Sequence, residues 1–338
     1  VASYLPLRNR SQLVTYLGLF AMNLGDLARA RVAFSHSRRL DAAASNWRDE
    51  SASAMNLAEV ELLAGRFRQA LEYSESAVSL AIEAKAEDDT KYSLAYRAIA
   101  QLAFGDVTTA AADFQRATEL AGRPLSGLPA IREAECKLLR GDRSGALRQT
   151  QANREFALSG NYNDDLCRSN ALLTGLLAPE DPAQATERLA EARAFANRSG
   201  DVELQLRCFH SACELHRHLG DSPQSIAEGE AGILLADTCG FGKYSIDIRL
   251  ALAEAYLAAG DARKALQNAR NALDRSEHPD CQYAWGQADG LHFCGLAHLW
   301  LGERELARQR LIAALDIRER LGHGRIDETR HALDLCRP

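Results

Sequence analysis

The sequence has few of the side chains that β-sheets favour. Valine, isoleucine and threonine together account for 27 of the 338 residues, whereas alanine alone accounts for 59. Because branched side chains pack well on a pleated surface, this composition argues against a β-sandwich, a β-barrel or a doubly wound sheet. The apolar content of 46% and the mixed charges also argue against a disordered chain, since there is enough apolar surface to form a core.

Long apolar runs, a strong charge and paired cysteines are missing as well. No stretch comes near twenty consecutive apolar residues, so no membrane-spanning helix is expected. A net charge of -6 does not suggest direct binding of nucleic acid, which needs a concentrated positive surface. The eight cysteines form no C-x-x-C pair, and residues 1–10 contain no apolar segment of a signal peptide. We therefore expect reduced thiols and a cytoplasmic location.

A short signature recurs along the whole chain: a glycine, a polar residue, three variable residues and then a small residue. The spacing between successive glycines is 40, 40, 36, 79, 40 and 42 residues. The gap of 79 contains a degenerate copy, in which Pro179 to Pro182 replace the glycine turn and Ala185 keeps the register. The chain therefore holds eight copies of a unit of about 40 residues. The seven turn glycines are Gly25, Gly65, Gly105, Gly141, Gly220, Gly260 and Gly302.

Small residues recur at three fixed positions around each turn: seven residues before it, five after it and twelve after it. Two antiparallel helices joined by a tight turn approach closely only where the facing side chains are small. The turn glycine ends the first helix in a left-handed conformation without steric cost, and the following Asp caps the second helix. Each copy is therefore predicted to be helix A, a turn and helix B, over residues 8–45, 46–87, 88–122, 124–160, 162–199, 200–240, 241–278 and 280–322, with a cap over 325–336.

This pattern resembles the tetratricopeptide repeat (TPR) in its form of 40–42 residues. The matching residues of the third copy are Ala98, Gly105-Asp106, Ala110, Phe114 and Ala117. The segment 313–322 is similar to repeats of kinesin light chains and of the sensor regions of bacterial signalling ATPases, including STAND or NLR-like proteins and maltose-regulator-like activators. The resemblance implies an all-α fold: a right-handed α–α superhelix (TPR solenoid) of about eight helix-turn-helix repeats plus a C-terminal capping helix, as one domain over residues 1–338.

No motif of an enzyme is present. The sequence lacks a P-loop, a dinucleotide-binding G-x-G-x-x-G, a G-x-S-x-G elbow and an H-E-x-x-H motif. The cluster of Cys208, His210, Cys213, His216 and His218 has the residue types of a zinc site, but helical spacing brings only two of them to one face. We predict no catalytic residue, no cofactor and no metal.

The resemblance also implies a concave groove lined by the A helices, at fixed positions before each turn. Transferred copy by copy, these positions carry polar, charged and aromatic residues, the types that dominate binding hot spots. The predicted partner is a protein or peptide held in this groove, and the mixture of Arg and Glu leaves its charge open. The predicted groove residues are Tyr16, Asn23, Asn56, Glu59, Tyr92, Tyr96, Arg132, Glu135, Asn170, Arg207, His210, Glu214, Arg217, Asp247, Glu254, Asp289, His292, Phe293 and Trp300.

Two functions are consistent with such a groove. In the first, the chain is the ligand-sensing C-terminal region of a larger STAND-type signalling ATPase, whose nucleotide-binding module lies upstream in the same polypeptide. A first residue that is Val rather than Met, and a repeat that begins almost at once, favour this hypothesis. In the second, the chain is a free-standing scaffold or adaptor that bridges partners without an attached enzyme.

Overall fold

A computed structural model describes residues 4–337, and within them seventeen α-helices and no strand are found. The helices are α1 (Leu7–Asn23), α2 (Leu27–Ala43), α3 (Trp47–Leu63), α4 (Phe67–Glu83), α5 (Glu87–Phe104), α6 (Val107–Ala121), α7 (Leu128–Leu139), α8 (Arg143–Gly160), α9 (Asn163–Leu177), α10 (Pro182–Ser199), α11 (Val202–His218), α12 (Ser222–Cys239), α13 (Gly242–Ala258), α14 (Ala262–Glu277), α15 (Ala284–Trp300), α16 (Arg304–Leu321) and α17 (Ile326–Leu335). Odd-numbered helices from α1 to α15 are the A helices, and even-numbered helices are the B helices.

The helices follow one another in eight packed pairs, and α17 packs against α16. The predicted all-α helical-repeat fold is therefore confirmed. The described residues form two compact units: an N-terminal unit of residues 4–125 with 239–241, and a C-terminal unit of residues 126–238 with 242–337. The prediction of a single solenoid over 1–338, with its repeat boundaries, stays a prediction.

The turn within each repeat has the predicted chemistry. All seven turn glycines have positive φ, from 73° at Gly65 to 86° at Gly105. The Asp after the turn caps helix B in most copies; for example, Asp106 accepts a hydrogen bond from Thr109 N at 3.1 Å. In the degenerate fifth copy α9 ends without a glycine, and Asp181 caps α10 by accepting from Gln184 N. Proline at the first position of α10 is compatible with this start.

The predicted small residues lie where the paired helices touch. The residues five positions after each turn are all fully buried: Ala30, Ala70, Ala110, Ala146, Ala185, Ser225, Ala265 and Ala307. A β-carbon at Gly18 would lie 2.6 Å from the Phe34 ring, and one at Gly295 would lie 2.5 Å from Leu311 Cγ. Both distances are shorter than carbon atoms tolerate, so glycine is needed at these two crossings.

A second series of turns, between repeats, was not predicted. Here the chain leaves helix B and enters the next helix A, again through a residue of positive φ (two, Gly122 and Gly127, between α6 and α7). Four of these residues are not glycine: Ser45, Lys85, Asn161 and Gln282, with φ between 51° and 56°. Because side chains at such positions are uncommon, the sequence gives little sign of them. No helix within residues 4–337 is long and apolar enough to span a lipid bilayer.

Candidate functional site on the A helices

In the N-terminal unit the predicted groove residues are mostly accessible. Tyr16 and Asn23 are exposed on α1, Tyr92 on α5 is 38% exposed, and Asn56 on α3 is partly buried. Tyr96 is buried, and its hydroxyl donates a hydrogen bond to Glu59 Oε2 at 2.8 Å. This bond ties α5 to α3, so both side chains are held in fixed positions beside the accessible Asn56.

The A helices of the C-terminal unit share a buried ion network around Glu203 of α11. Arg207 of the same helix pairs with Glu203 and also donates to Glu135 of α7 at 2.7 Å. Arg132 lies 3.0 Å from Glu135 and 3.9 Å from Glu203. We name Arg132, Glu135, Glu203 and Arg207 the base cluster. It joins α7 to α11, which belong to repeats that are not adjacent.

Two further side chains complete the base cluster from neighbouring A helices. Arg168 of α9 donates to Glu203 Oε2 at 3.1 Å, and the Tyr244 hydroxyl of α13 donates to Glu203 Oε1 at 2.6 Å. Burial alone would raise the pKa of Glu203, but Arg207, Arg168 and Arg132 together hold it well below its usual range. Burial alone would likewise raise the pKa of Glu135, but the charges of Arg132 and Arg207 lower it. Both carboxyl groups are therefore ionised.

Further along α11 from the base cluster lies a partly exposed rim of chargeable groups. On α11, His210 Nδ1 is 4.0 Å from Glu214 Oε2. Arg217, one turn further along, is 3.6 Å from Glu254 of α13. We name His210, Glu214, Arg217 and Glu254 the rim. Each of these side chains keeps contact with solvent, so a bound molecule can reach all four.

The segment between α16 and α17 closes one side of this surface. Gly324 N donates to Leu139 O at the end of α7, at 2.8 Å. Arg325 Nη2 donates to Glu254 Oε1 at 3.1 Å, and its guanidinium lies 5.4 Å from the centre of the Phe293 ring. Residues 323–325 therefore connect the first A helix of the C-terminal unit with its last two.

The remaining predicted residues have different surroundings. Asp289 accepts from the buried Arg318, and the pKa of Asp289 is well below its usual range because Arg318 and His323 outweigh its burial. His292 is buried, and burial together with the charge of Arg318 lowers its pKa, so its ring is neutral. Phe293 is buried under Arg325.

Three other positions differ in how far a ligand can approach them. Asn170 is fully buried and accepts from Arg154 Nε at 2.8 Å. Asp247 accepts from Lys243 Nζ at 2.6 Å. Trp300 is 65% exposed and lines a shallow groove of about 360 Å³ with residues 259–263. The structure thus brings together the base cluster and the rim, and it leaves Asn170 and Trp300 apart from them.

Sequence reasoning missed Glu203, Arg168, Tyr244 and Arg325. Glu203 and Arg207 are four residues apart, which is a visible helical ion-pair spacing. The contacts to Glu135 and Glu254 span 72 and 71 residues, and a periodic pattern contains no information about them. The binding role of the predicted groove residues stays a prediction.

The cysteines and histidines of α11 do not converge. Cys208 and Cys213 are buried, and Cys213 Sγ lies 3.5 Å from Ser225 Oγ. Across residues 4–337, no group of three or more His, Cys, Asp or Glu side chains has the arrangement of a metal site.

No model of a known protein family matches the chain, and no curated protein matches it. Solved structures match it by fold. A Rap protein complexed with Competence and Sporulation Factor has a TM-score of 0.57 and 10% sequence identity, and the match covers 98% of this chain and 100% of that one. A signal transduction ATPase with numerous domains (STAND) from Pyrococcus horikoshii, which has a TPR sensor, has a TM-score of 0.51 and 13% identity. That match covers 78% of this chain and 42% of the ATPase chain.

At such low identities the likeness shows the fold alone. The fold is that of the TPR proteins, as the residues of the repeat predicted. Since the chain spans less than half of the matched ATPase, the activity of that whole protein is not carried over.

Proposed function

We propose that this chain is a non-catalytic interaction module that binds a peptide or protein segment on the A-helix surface of its C-terminal unit. The observation that carries the proposal is the rim: four chargeable side chains of α11 and α13 remain accessible next to an ion network that holds their helices in place. A surface whose polar groups are already oriented binds with a small loss of conformational entropy.

The rim and the base cluster have separate roles in this proposal. The rim contacts the ligand, since its groups are within reach of solvent, and it offers both charges: Arg217 to an acidic group, Glu214 and Glu254 to a basic one. The buried members of the base cluster, Arg132, Glu203 and Arg207, orient α7 and α11, whereas Glu135, which is as exposed as Glu254, also lies within reach of the ligand. In the N-terminal unit, the accessible predicted residues Asn56 and Tyr92 offer uncharged polar groups instead. The Rap neighbour, which was solved with a bound factor, supports ligand binding by this fold.

We further propose that the array is the ligand-sensing region of a larger STAND-type signalling ATPase. The TPR sensor of the matched ATPase supports this proposal. The alternative is a free-standing scaffold or adaptor, which is favoured by the match to Rap along the whole length of both chains.

The size of the native polypeptide separates these two roles. An immunoblot of source cells with an antibody against this chain should show a band of at least about twice 37.0 kDa if an ATPase module is attached. A band near 37.0 kDa would contradict the sensor role and leave the adaptor role.

Binding at the rim is tested with a peptide selected from a displayed library on the wild-type chain. The double variant Arg217→Ala with Glu254→Ala should weaken that peptide at least about tenfold, which corresponds to about 1.4 kcal/mol. The control is Arg330→Ala with Glu319→Ala, which removes a more exposed ion pair between α17 and α16, outside the rim. Equal affinity of all three proteins, with unchanged helicity by circular dichroism, would exclude the rim as the binding surface.

A further inference from the structure

A buried carboxyl group of the N-terminal unit has no cation beside it. Asp41 lies in the last turn of α2 and is 1% exposed. Within residues 4–337 no Lys, Arg or His side chain forms an ion pair with it, and Arg38 of the same helix pairs with Glu50 instead. A charge at this place is costly, because burial removes its hydration and the C-terminal end of a helix dipole is itself negative.

The other buried carboxyl groups are all compensated. Five further acidic side chains within the described residues are buried to a similar degree. Four of them are paired with an arginine: Glu61, Asp113, Glu203 and Glu228. The fifth, Asp201, caps the N-terminus of α11, where the helix dipole favours a negative charge. Asp41 has neither form of compensation, so its charge must be neutralised in another way.

Hydroxyl groups from three helices surround Asp41. Ser53 Oγ of α3 donates to Asp41 Oδ2 at 2.9 Å, and Ser37 Oγ of α2 lies 3.0 Å from Ser53 Oγ. On α1, Ser11 Oγ and Thr15 Oγ1 lie 2.8 Å and 2.6 Å from Ser37 Oγ. We name these five residues the Asp41 cluster. All of them except Thr15 are at most 3% exposed, so the cluster is an interior site lined by oxygen atoms.

The repeat does not require a carboxyl group at this position. Asp41 stands sixteen residues after the turn glycine Gly25, and the next five copies all hold alanine there. These alanines are Ala81, Ala121, Ala157, Ala196 and Ala236. A small apolar side chain is thus sufficient for the paired helices to pack, and the carboxyl group of Asp41 is an additional feature of the first repeat.

A proton is one way to neutralise Asp41, and burial does raise the pKa of its carboxyl group. The hydrogen bonds favour a cation instead. Asp41 Oδ2 accepts from Ser53, whereas Oδ1 is buried and has no hydrogen-bond partner within the described residues. A proton on Oδ1 would therefore have no acceptor, which is costly in the interior. A cation needs only the lone pairs of this oxygen and of the hydroxyl groups.

We propose that the Asp41 cluster binds a sodium ion. Hard cations take oxygen ligands, and the side chains of the cluster offer carboxylate and hydroxyl oxygens. A single carboxylate balances one positive charge, whereas a site for a divalent ion takes several carboxylates. Thr15 is partly exposed and gives the ion a path from solvent. Because the ligands come from α1, α2 and α3, the ion joins the first repeat to the second. The site belongs to the N-terminal unit and does not depend on the function proposed for the rim.

Hydrogen exchange of the full chain in NaCl and in tetramethylammonium chloride tests the site. At equal concentration the two salts share ionic strength and anion, but tetramethylammonium is too large to enter. Exchange in α1–α3 should be at least about threefold slower in NaCl, because an ion that binds only the folded state stabilises it. Asp41→Asn keeps the shape of the side chain without its charge, and it should abolish the difference between the salts.

A second pair of variants tests the hydroxyl ligands. Ser53→Ala should reduce the difference between the salts, because it removes one oxygen of the cluster. Ser51→Ala is the matched control and should retain the difference: Ser51 is also a buried serine of α3, but its hydroxyl donates to Ala77 O at 2.8 Å. An equal response of Ser53→Ala and Ser51→Ala would contradict the proposal, and this comparison remains decisive if Asp41→Asn does not fold.

Sodium NMR on the same proteins measures binding directly. Broadening of the sodium line by the wild-type chain that Asp41→Asn removes supports the proposal. Equal exchange of α1–α3 in the two salts would overturn it and would show that a proton neutralises Asp41. A difference between the salts that persists in Asp41→Asn would also overturn it, since sodium would then act elsewhere on the chain.

Discussion

Each unit buries a glutamate beside arginines, and the two carboxyl groups respond in opposite ways. In the N-terminal unit, Glu61 is 2.5 Å from both Arg31 Nε and Arg66 Nε, and these arginines remain about one third exposed. Burial raises the pKa of Glu61 despite Arg31. In the C-terminal unit, Glu203 is surrounded by Arg207, Arg168 and Arg132, and its pKa is lowered.

The comparison shows that ion pairs of similar length shift the pKa of a buried carboxyl group in opposite directions when the exposure and number of the cations differ. Water screens the two cations at Glu61, so their attraction does not offset the loss of hydration. At Glu203 three cations, none more than 14% exposed, and the Tyr244 hydroxyl converge from four helices, and their combined attraction exceeds that loss. The C-terminal unit is therefore held by charges between distant repeats, while both units share the packing of small residues within each repeat.

The largest expected effect tests what the units share. Ala110→Arg in the N-terminal unit and Ala265→Arg in the C-terminal unit should each cost about 4 kcal/mol or more, because a charge has no room between the paired helices. Hydrogen exchange should report loss of protection in α5 and α6 for the first variant and in α13 and α14 for the second. Ala111→Arg is the control, since Ala111 is the exposed neighbour of Ala110, and its stability should change little. Normal protection of these helices in Ala110→Arg or in Ala265→Arg would contradict the shared packing.

The next effect tests the contrast directly. Glu203→Gln should lower the free energy of unfolding by about 3–5 kcal/mol at pH 7, because it leaves buried arginines without their carboxylate. Glu61→Gln should change it by no more than about 1 kcal/mol, since Arg31 and Arg66 regain water. Urea unfolding at pH 7 measures both. Equal losses in the two variants would show that the two glutamates are equivalent and that the contrast is wrong.

Closure of the C-terminal unit by residues 323–325 should contribute less. A β-carbon at Gly324 would lie 2.6 Å from Gly141 Cα and N, so Gly324→Ala should cost about 1–3 kcal/mol through crowding. It should also abolish protection of the Gly324 amide, which donates to Leu139 O. Gly200→Ala serves as the control. Gly200 has positive φ but no neighbour within 4 Å of a β-carbon, so the substitution strains only the local backbone and should leave the Gly324 amide protected. If the amide of residue 324 stayed protected in Gly324→Ala, closure by this hydrogen bond to Leu139 O would be contradicted.

The smallest effect concerns two capping aspartates of the C-terminal unit. Asp201 caps α11, and burial together with the charge of Glu203 raises its pKa to about 6. A raised pKa means that stability from this group is fully present below about pH 4 and is lost as the pH rises through 6. Asp201→Asn, which can still cap, should therefore stabilise the chain by about 1 kcal/mol at pH 7, with no gain at pH 4.

The exposed cap Asp142 should behave in the opposite way. Its hydrogen bond from Gly145 N lowers its pKa, so its stabilising charge is present at neutral pH and is lost in acid. Asp142→Asn should bring no gain at pH 7. Thermal melts of both variants at pH 4 and pH 7 make the comparison, and a gain from Asp142→Asn equal to that from Asp201→Asn would contradict it.

Most of the fold was predictable because it is local. The small residue at Ala110, the glycine at Gly105 and the cap at Asp106 each act within one helix pair, so a period of 40 residues reports them. The site was predictable only in part. Arg207 was assigned to the groove from its register, but its burial depends on Glu135, 72 residues away. Which A-helix side chains meet depends on how much each repeat rotates against the next, and that rotation leaves no periodic signal in the sequence.

The most direct test of the proposed binding surface is hydrogen exchange of the full chain with and without a peptide selected on it. We expect the peptide to slow exchange in α11, in α13 and in residues 323–325, around Arg217, Glu254 and Arg325, while the B helices of the C-terminal unit are unaffected. Protection confined to the B helices, with no change in α11 and α13, would contradict the assignment of ligand binding to the A-helix surface.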